Sequence, residues 1–154
     1  MVHTENKNTI ALVLFSNAYQ DDSAIISLAG KEGIFSVIAK GVYRSKSQLK
    51  PLLVSGSLIQ LDYSSSSTGP CFAKSLHILF DSSDLMRDYV SSLFLLYLEE
   101  TTMNLYEYGD SFPFLEVYQI LRKMKEGKNI LSLILLYLGR CYKSLGIMLD
   151  TTQC

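Results

Sequence analysis

Five basic residues, Lys31, Lys40, Arg44, Lys46 and Lys50, stand in a stretch that holds one acid, Glu32. The local charge there is +4 on a chain of formal net charge −1. Spaced with Ser45, Ser47 and Gln48, they offer point charges and hydrogen-bond donors in one loop, the chemistry that phosphate oxygens select. Tyr43 stands beside Arg44, and an aromatic ring next to a cation adds a face on which a nucleic-acid base stacks. Lys74 brings a further cation on a later apolar segment. On charge alone a solvated hairpin is the simpler explanation. The position of the run, directly after the apolar segment Ile34–Ala39, favours phosphate contact.

Other chemistry is sparse. His3 lies in the polar start MVHTENKNT, and His77 sits mid-strand, where a hydrogen-bonded structural histidine is the ordinary reading. Gly30-Lys31-Glu32-Gly33 lacks the spacing and the following helix of a phosphate-binding P-loop. There is no Cys-x-x-Cys and no helical His/Glu pair, so no metal site is expected. Glu99-Glu100 and Asp21-Asp22 are adjacent rather than convergent, as on a charged helix face or a turn tip. Tyr19, Phe35, Tyr43 and Tyr63 are available as stacking faces, although strand aromatics are usually core and Phe35 reads chiefly as packing. Three cysteines, Cys71, Cys141 and Cys154, are an odd number with no close pair. Reduced thiols follow for Cys71 and Cys141. The expectation is a binding module without a cofactor, not an enzyme.

The elements that must hold these residues are legible from period. Thr9–Phe15 is a β-branched, apolar run and reads as a strand buried on both faces, after a loose polar arm over residues 1–8. A turn follows with Asp21-Asp22 at its tip, then strands Ser23–Ala29 and Ile34–Ala39 around Gly30-Lys31-Glu32-Gly33. Beyond the basic loop, Ser57–Tyr63 alternates, with Ile59, Leu61 and Tyr63 on one side. Ser64–Pro70 reads as an exposed hairpin loop. Cys71–Phe80 alternates again, with Phe72, Leu76, Ile78 and Phe80 on one face beside Lys74. Five strands in so short a span fit a small barrel, of which the OB-fold is the commonest five-stranded version.

At Ser82-Ser83-Asp84 the period changes to helical. The first helix spans roughly 85–106, with Met86, Tyr89/Val90, Leu93 and Tyr97 as its stripe. The second opens at Pro113, carries Phe114, Val117/Tyr118, Leu121 and Met124, and ends at Gly127. The third runs from Asn129 to Gly146 with Leu131, Ile134/Leu135, Leu138, Cys141/Tyr142 and Leu145 apolar. The fold class is therefore α+β: an N-terminal five-stranded OB-type barrel domain over residues 1–80, then an all-α helical domain over residues 81–154. Residues 1–80 sum to +2 and residues 81–154 to −3, so nucleic acid is expected on the first half. The near-neutral total counts against strong non-specific binding. No signal peptide is expected, and the longest apolar runs, Leu93–Leu98 and Leu133–Leu138, fall far short of the ~20 residues of a membrane span. A cytoplasmic protein with no membrane partner is expected.

Three stretches resemble the RecO family of bacterial recombination mediators. The first is Ala11-Leu12-Val13-Leu14 through Tyr19-Gln20-Asp21-Asp22-Ser23. The second is Gly33-Ile34-Phe35-Ser36-Val37-Ile38-Ala39-Lys40-Gly41, continuing through Arg44, Ser45, Lys46, Ser47, Leu49 and Pro51-Leu52. The third is Leu145-Gly146 with Leu149-Asp150 and Cys154. The resemblance implies an OB-fold followed by a helical domain that in many members carries a four-cysteine zinc site. It also implies binding of single- and double-stranded DNA, strand annealing, contact with single-stranded DNA-binding protein, and loading of RecA together with RecR. Lys31, Lys40, Tyr43, Arg44, Lys46, Lys50 and Lys74 are then the DNA-binding residues. Family members run on beyond this chain, so it is expected to be a shortened form, with Cys154 matching the first zinc ligand of a longer chain and no zinc bound here. Helix surface left uncovered would favour self-association or marginal stability. The alternative expectation is an interaction module whose helical half docks the acidic tail of single-stranded DNA-binding protein.

Overall fold

The computed structural model describes residues 4–31, 33–44, 46–47, 53–66, 69–107 and 109–147. Among them are β1 (Thr4–Tyr19), β2 (Ser23–Gly30), β3 (Gly33–Ala39), β4 (Leu58–Ser66) and β5 (Cys71–Phe80). They are followed by α1 (Tyr89–Leu105), α2 (Phe114–Lys125) and α3 (Ile130–Ser144), an α+β layout with every strand before the first helix. The strands close into a ring in the order β1-β2-β3-β5-β4. Closure depends on β1, which is long enough to serve two neighbours. Thr4–Leu12 pairs with β4, and Ala11–Tyr19 pairs with β2. The parallel contact between β3 and β5 is short, Val37 against Cys71 and Ile38 against Phe72.

The polar residues from Thr4 to Asn8, expected as part of a loose arm, are the start of β1. Their partners are Asp62 to Ser66, including serines expected in a loop. Ladder hydrogen bonds join backbones, so a polar segment pairs as well as an apolar one once a partner strand is placed. Outward side chains add to it. The Asn8 amide and the Ser75 hydroxyl both donate to the Asp62 carboxylate. Lys74 Nζ donates to Asn6 Oδ1 at 2.6 Å.

Ala11, Leu12, Val13 and Leu14 are all fully buried because alternate side chains enter different cores. Ala11 and Val13 join Ile26, Leu28, Val37, Ile59 and Leu61 inside the ring. Leu12 and Leu14 point outward and pack with Leu58, Phe94, Leu95, Leu98, Val117 and Leu121 under the helices. Two glycines let strand ends meet the helical part closely. A Cβ on Gly56 would lie 2.6 Å from Leu95 Cδ2, and one on Gly33 would lie 2.7 Å from the Glu107 carbonyl oxygen.

The expected face of β5 is interrupted. Asp62 pairs with Ser75 and Tyr63 with Ala73, so Lys74 is the extra residue of a bulge. Cys71 and Ala73 face the ring interior before it, Leu76 and Ile78 after it. Phe72 is thereby turned outward, 37% exposed. A second register shift beside Leu58 sends Phe80 to the helical core.

Helix faces also differ from expectation. The serines before α1 lead into a single 3-10 turn, Leu85–Arg87, and Ser82 Oγ is buried, donating to the Ser55 carbonyl at 2.7 Å. The cap of α1 is Asp88, whose carboxylate accepts from the Ser91 N–H at 2.8 Å and from its hydroxyl at 2.7 Å. These bonds hold the Asp88 carboxyl below the usual range. The buried face is Ser91, Phe94, Leu95, Leu98 and Thr102, whereas Met86, Tyr89, Val90, Leu93 and Tyr97 are exposed. In α3, Leu133, Tyr137 and Cys141 are buried, while Leu131 and Leu135 are 73% and 69% exposed. Both helices are apolar on most sides, so the period alone does not choose a face. In α2 the cationic and apolar sides separate, and Val117, Leu121 and Met124 are buried as expected. The ends at Gly127 and Gly146 carry paired C-terminal hydrogen bonds, Gly146 N–H to Lys143 O and Ile147 N–H to Tyr142 O in the latter.

Candidate nucleic-acid interface

Lys40 follows β3 directly, and the chain then turns into the long β3–β4 connection. Val42 and Leu53, near the two ends of that connection, are buried against the ring interior. Val42 thereby holds Tyr43 and Arg44 at one mouth of the ring. Tyr43 is half-buried against the same core, and its N–H donates to the Asp22 carbonyl at 2.9 Å. Arg44 Nε donates to Asp22 Oδ2 at 3.2 Å. Asp22 therefore fastens the β1–β2 turn to the basic loop through both its backbone and its carboxylate. Both side chains of the ion pair are exposed, so it adds little net stability. The outer guanidinium nitrogens of Arg44 have no protein partner among the described residues.

The β1–β2 turn is itself held in an uncommon backbone. Gln20 and Asp21 have φ of 29° and 46°, in or near the left-handed region that non-glycine residues enter at some cost. A polar cavity of about 340 Å³ lies between this turn and Lys40, Gly41 and Arg44. Lys40 has a second contact, its Nζ lying 5.4 Å from the centre of the Phe72 ring. Lys40, Arg44 and the exposed Lys46 bring three positive charges to this mouth, and Asp21 and Asp22 bring two negative ones. The arrangement suits a polyanion with a flat, apolar part: oxygens on the cations and a ring face beside them.

The residues expected to contact DNA do not all gather here. Lys40, Tyr43 and Arg44 are brought together, with Lys46 two positions on. Lys31 sits in the β2–β3 turn at the opposite end of the hairpin, roughly 23 Å away at 3.3 Å per residue. That end abuts the backbone of Glu107, Gly109 and Asp110. Lys74 lies on the outer face of the sheet, engaged with Asn6. Lys50 and Cys154 lie outside the described residues. Cys71 packs at the ring interior and Cys141 in the helical core, so these two thiols make no zinc set. Among the described residues no three His, Cys, Asp or Glu side chains gather to hold a metal. Sequence reasoning missed Asp22 as the partner of Arg44, because nothing in a separation of 22 positions announces the pairing. It put Phe72 on one face with Leu76 and Ile78, because the bulge at Lys74 leaves no mark in the alternation.

The chain is 32% identical over 125 residues to the DNA repair protein RecO of two strains of Leptospira biflexa serovar Patoc, a match covering 80% of this chain. Over this stretch it resembles the RecO proteins. The chain spans 49% of the length of each of these RecO proteins, about half. No protein-family model matches it. The share of the chain that is matched is too large to leave out the strand ring, which carries two of the three stretches that resemble RecO. Among the described residues no helix is long and apolar enough to cross a membrane.

Proposed function

We propose that this chain is the DNA-binding part of a DNA repair and recombination mediator. The observation that carries the reading is the fastening of Tyr43 and Arg44 to the β1–β2 turn, with Lys40 lining the same cavity, at one mouth of a closed five-stranded ring. The ring order, with β1 shared by two neighbours and a short parallel β3–β5 contact, supports an OB-fold, whose β1–β2 and β4–β5 loops border an oligonucleotide surface. In this reading Lys40, Arg44 and Lys46 contact phosphates, Lys50 extends the track, and Lys31 and Lys74 give flanking support. The protein binds single-stranded DNA, anneals complementary strands and assists RecA loading with RecR, in the cytoplasm at the nucleoid, with no catalysed reaction of its own.

The test is fluorescence anisotropy of a labelled oligo-dT titrated at several salt concentrations. Wild-type binding weakens steeply with salt. Arg44→Glu with Lys46→Glu lowers affinity at low salt at least tenfold, and flattens the log–log salt slope by about 1.4, since each lost single-strand phosphate contact removes about 0.7. Unchanged affinity in the double variant would overturn the assignment.

A second reading has its own observation. A cavity of about 310 Å³ forms where the start of α2 meets Arg140, Lys143 and Ser144 of α3, with Phe112, Phe114, Leu115 and Glu116 also lining it. Arg140 and Lys143 have no ion-pair partner among the described residues. Two unpaired cations beside apolar rings suit an acidic peptide with an apolar end, such as the tail of single-stranded DNA-binding protein. Arg140→Glu with Lys143→Glu is expected to abolish binding of that tail peptide while leaving oligo-dT binding in place.

A further inference from the structure

We propose that Phe72 is a base-stacking platform by which this chain distinguishes single-stranded from duplex DNA, an inference that rests on the DNA-binding reading of the Lys40–Arg44 mouth. Strand alternation assigns Phe72 to the ring interior with Leu76 and Ile78. The bulge at Lys74 reverses that assignment and leaves a large apolar side chain 37% exposed on the outer face. The parallel contact of β5 with β3 sets Phe72 opposite Ile38, two residues before Lys40. Lys40 Nζ lies over the Phe72 ring at 5.4 Å, and Lys40 also lines the polar cavity with Arg44. One lysine thus joins the aromatic face to the cationic mouth.

Neighbouring rings are used otherwise. Phe35 and Tyr63 stack on each other, centroids 5.5 Å apart, at the ring interior. Tyr43 is packed half-buried against the same core. Among the described residues no other aromatic ring packs on Phe72. An exposed contact between a lysine and a ring is weak, so a base displaces Lys40 from the ring face and meets it again as a phosphate partner. A single strand offers unstacked bases to such a face. In a duplex each base is already stacked and paired, so only its phosphates reach this mouth.

The chain contains ten tyrosines and no tryptophan, so Phe72→Trp introduces a single tryptophan at the proposed platform, one that can be excited apart from the tyrosines. Emission of this variant is expected to be quenched saturably by oligo-dT and little affected by a duplex of equal length. Phe72→Ala is expected to weaken oligo-dT binding by about 5- to 100-fold, the range for one lost base–aromatic stack. Its duplex affinity and salt slope stay unchanged, and Phe72→Leu, which keeps apolar bulk without a π-face, behaves like the alanine variant. Thermal melts verify that each variant is folded. The platform is overturned if Phe72→Trp emission does not move when anisotropy shows the oligonucleotide saturated. Equal weakening for single strand and duplex in Phe72→Ala overturns it too. In both cases wild-type binding that is sensitive to salt and to Arg44→Glu with Lys46→Glu leaves the DNA reading standing. If the wild-type protein binds neither probe at low salt, both fall together.

Discussion

Inside the strand ring, Ala11, Val13, Ile26, Leu28, Ile59 and Leu61 are buried and each strand is paired on both sides, whereas α1 and α3 leave Tyr89, Leu93, Leu96, Leu131 and Leu135 open to solvent. The contrast follows from where each kind of element finds its hydrogen bonds. A strand satisfies its backbone only through neighbours, so closure of the ring fixes partners and interior together. A helix satisfies its backbone within itself. Nothing in its hydrogen bonding requires a second apolar face to be covered once the first has packed on the ring. The two regions are still one structure, because Leu12, Leu14, Ala29 and Leu58 of the strands share a core with Phe94, Leu95, Leu98 and Leu121.

That shared core is the most direct place to break the comparison. Leu28→Ala in the ring and Leu95→Ala under the helices are each expected to cost about 2–5 kcal/mol. Urea unfolding followed by circular dichroism should show one transition, shifted by either substitution. Two transitions, each answering to only one variant, would separate the regions.

A smaller effect is expected within the helical part. Thr102 Oγ1 donates to the Leu98 carbonyl at 2.6 Å and shares a hydrogen bond of 3.2 Å with the buried Tyr137 hydroxyl. Burial pushes the Tyr137 hydroxyl far above the ordinary tyrosine range. Tyr137→Phe removes one member and leaves Thr102 bonded to the backbone, so a loss of about 0.5–1.5 kcal/mol is expected in the same measurement.

Acid compares one carboxylate from each region. Hydrogen bonds from Ser75 and Asn8 lower the Asp62 pKa, and those from Ser91 lower that of Asp88, both from 3.8. A lowered folded pKa means stability that is present above 3.8 and is lost as pH falls through the depressed value. Melting temperatures followed from about pH 5 to about pH 2 should fall less steeply in Asp62→Asn and in Asp88→Asn than in the wild type. An identical slope in either variant would remove that carboxylate from the acid response.

The smallest effect on folding is expected at the open helix faces. Leu93→Glu with Leu135→Glu should change stability by no more than about 0.5 kcal/mol, since neither side chain is buried. The same pair should reduce self-association of the wild-type protein in sedimentation velocity. A wild-type chain that sediments as a monomer at high concentration would show that these faces do not attract one another.

Much of this was readable in the residues themselves. Apolar runs and glycine punctuation located the five strands, and Gly127 and Gly146 marked helix ends, because backbone preference acts locally. The separation of lysines and arginines from apolar residues in α2 identified its buried side. The same reasoning failed for α1 and α3, where nearly every side is apolar. It failed too for Thr4 to Asn8, whose strand character comes from a partner more than fifty positions away.

At the candidate interface, the sequence by itself determined the chemistry: a basic run after an apolar strand, with hydroxyls and a tyrosine interleaved. Tertiary structure decided its geometry. Ring closure put Lys31 at one end and Lys40 at the other, Asp22 took hold of Arg44 across 22 positions, and the bulge at Lys74 turned Phe72 outward. Local propensity sets which elements form, but which side chains meet depends on register and closure, and these are properties of the assembled sheet.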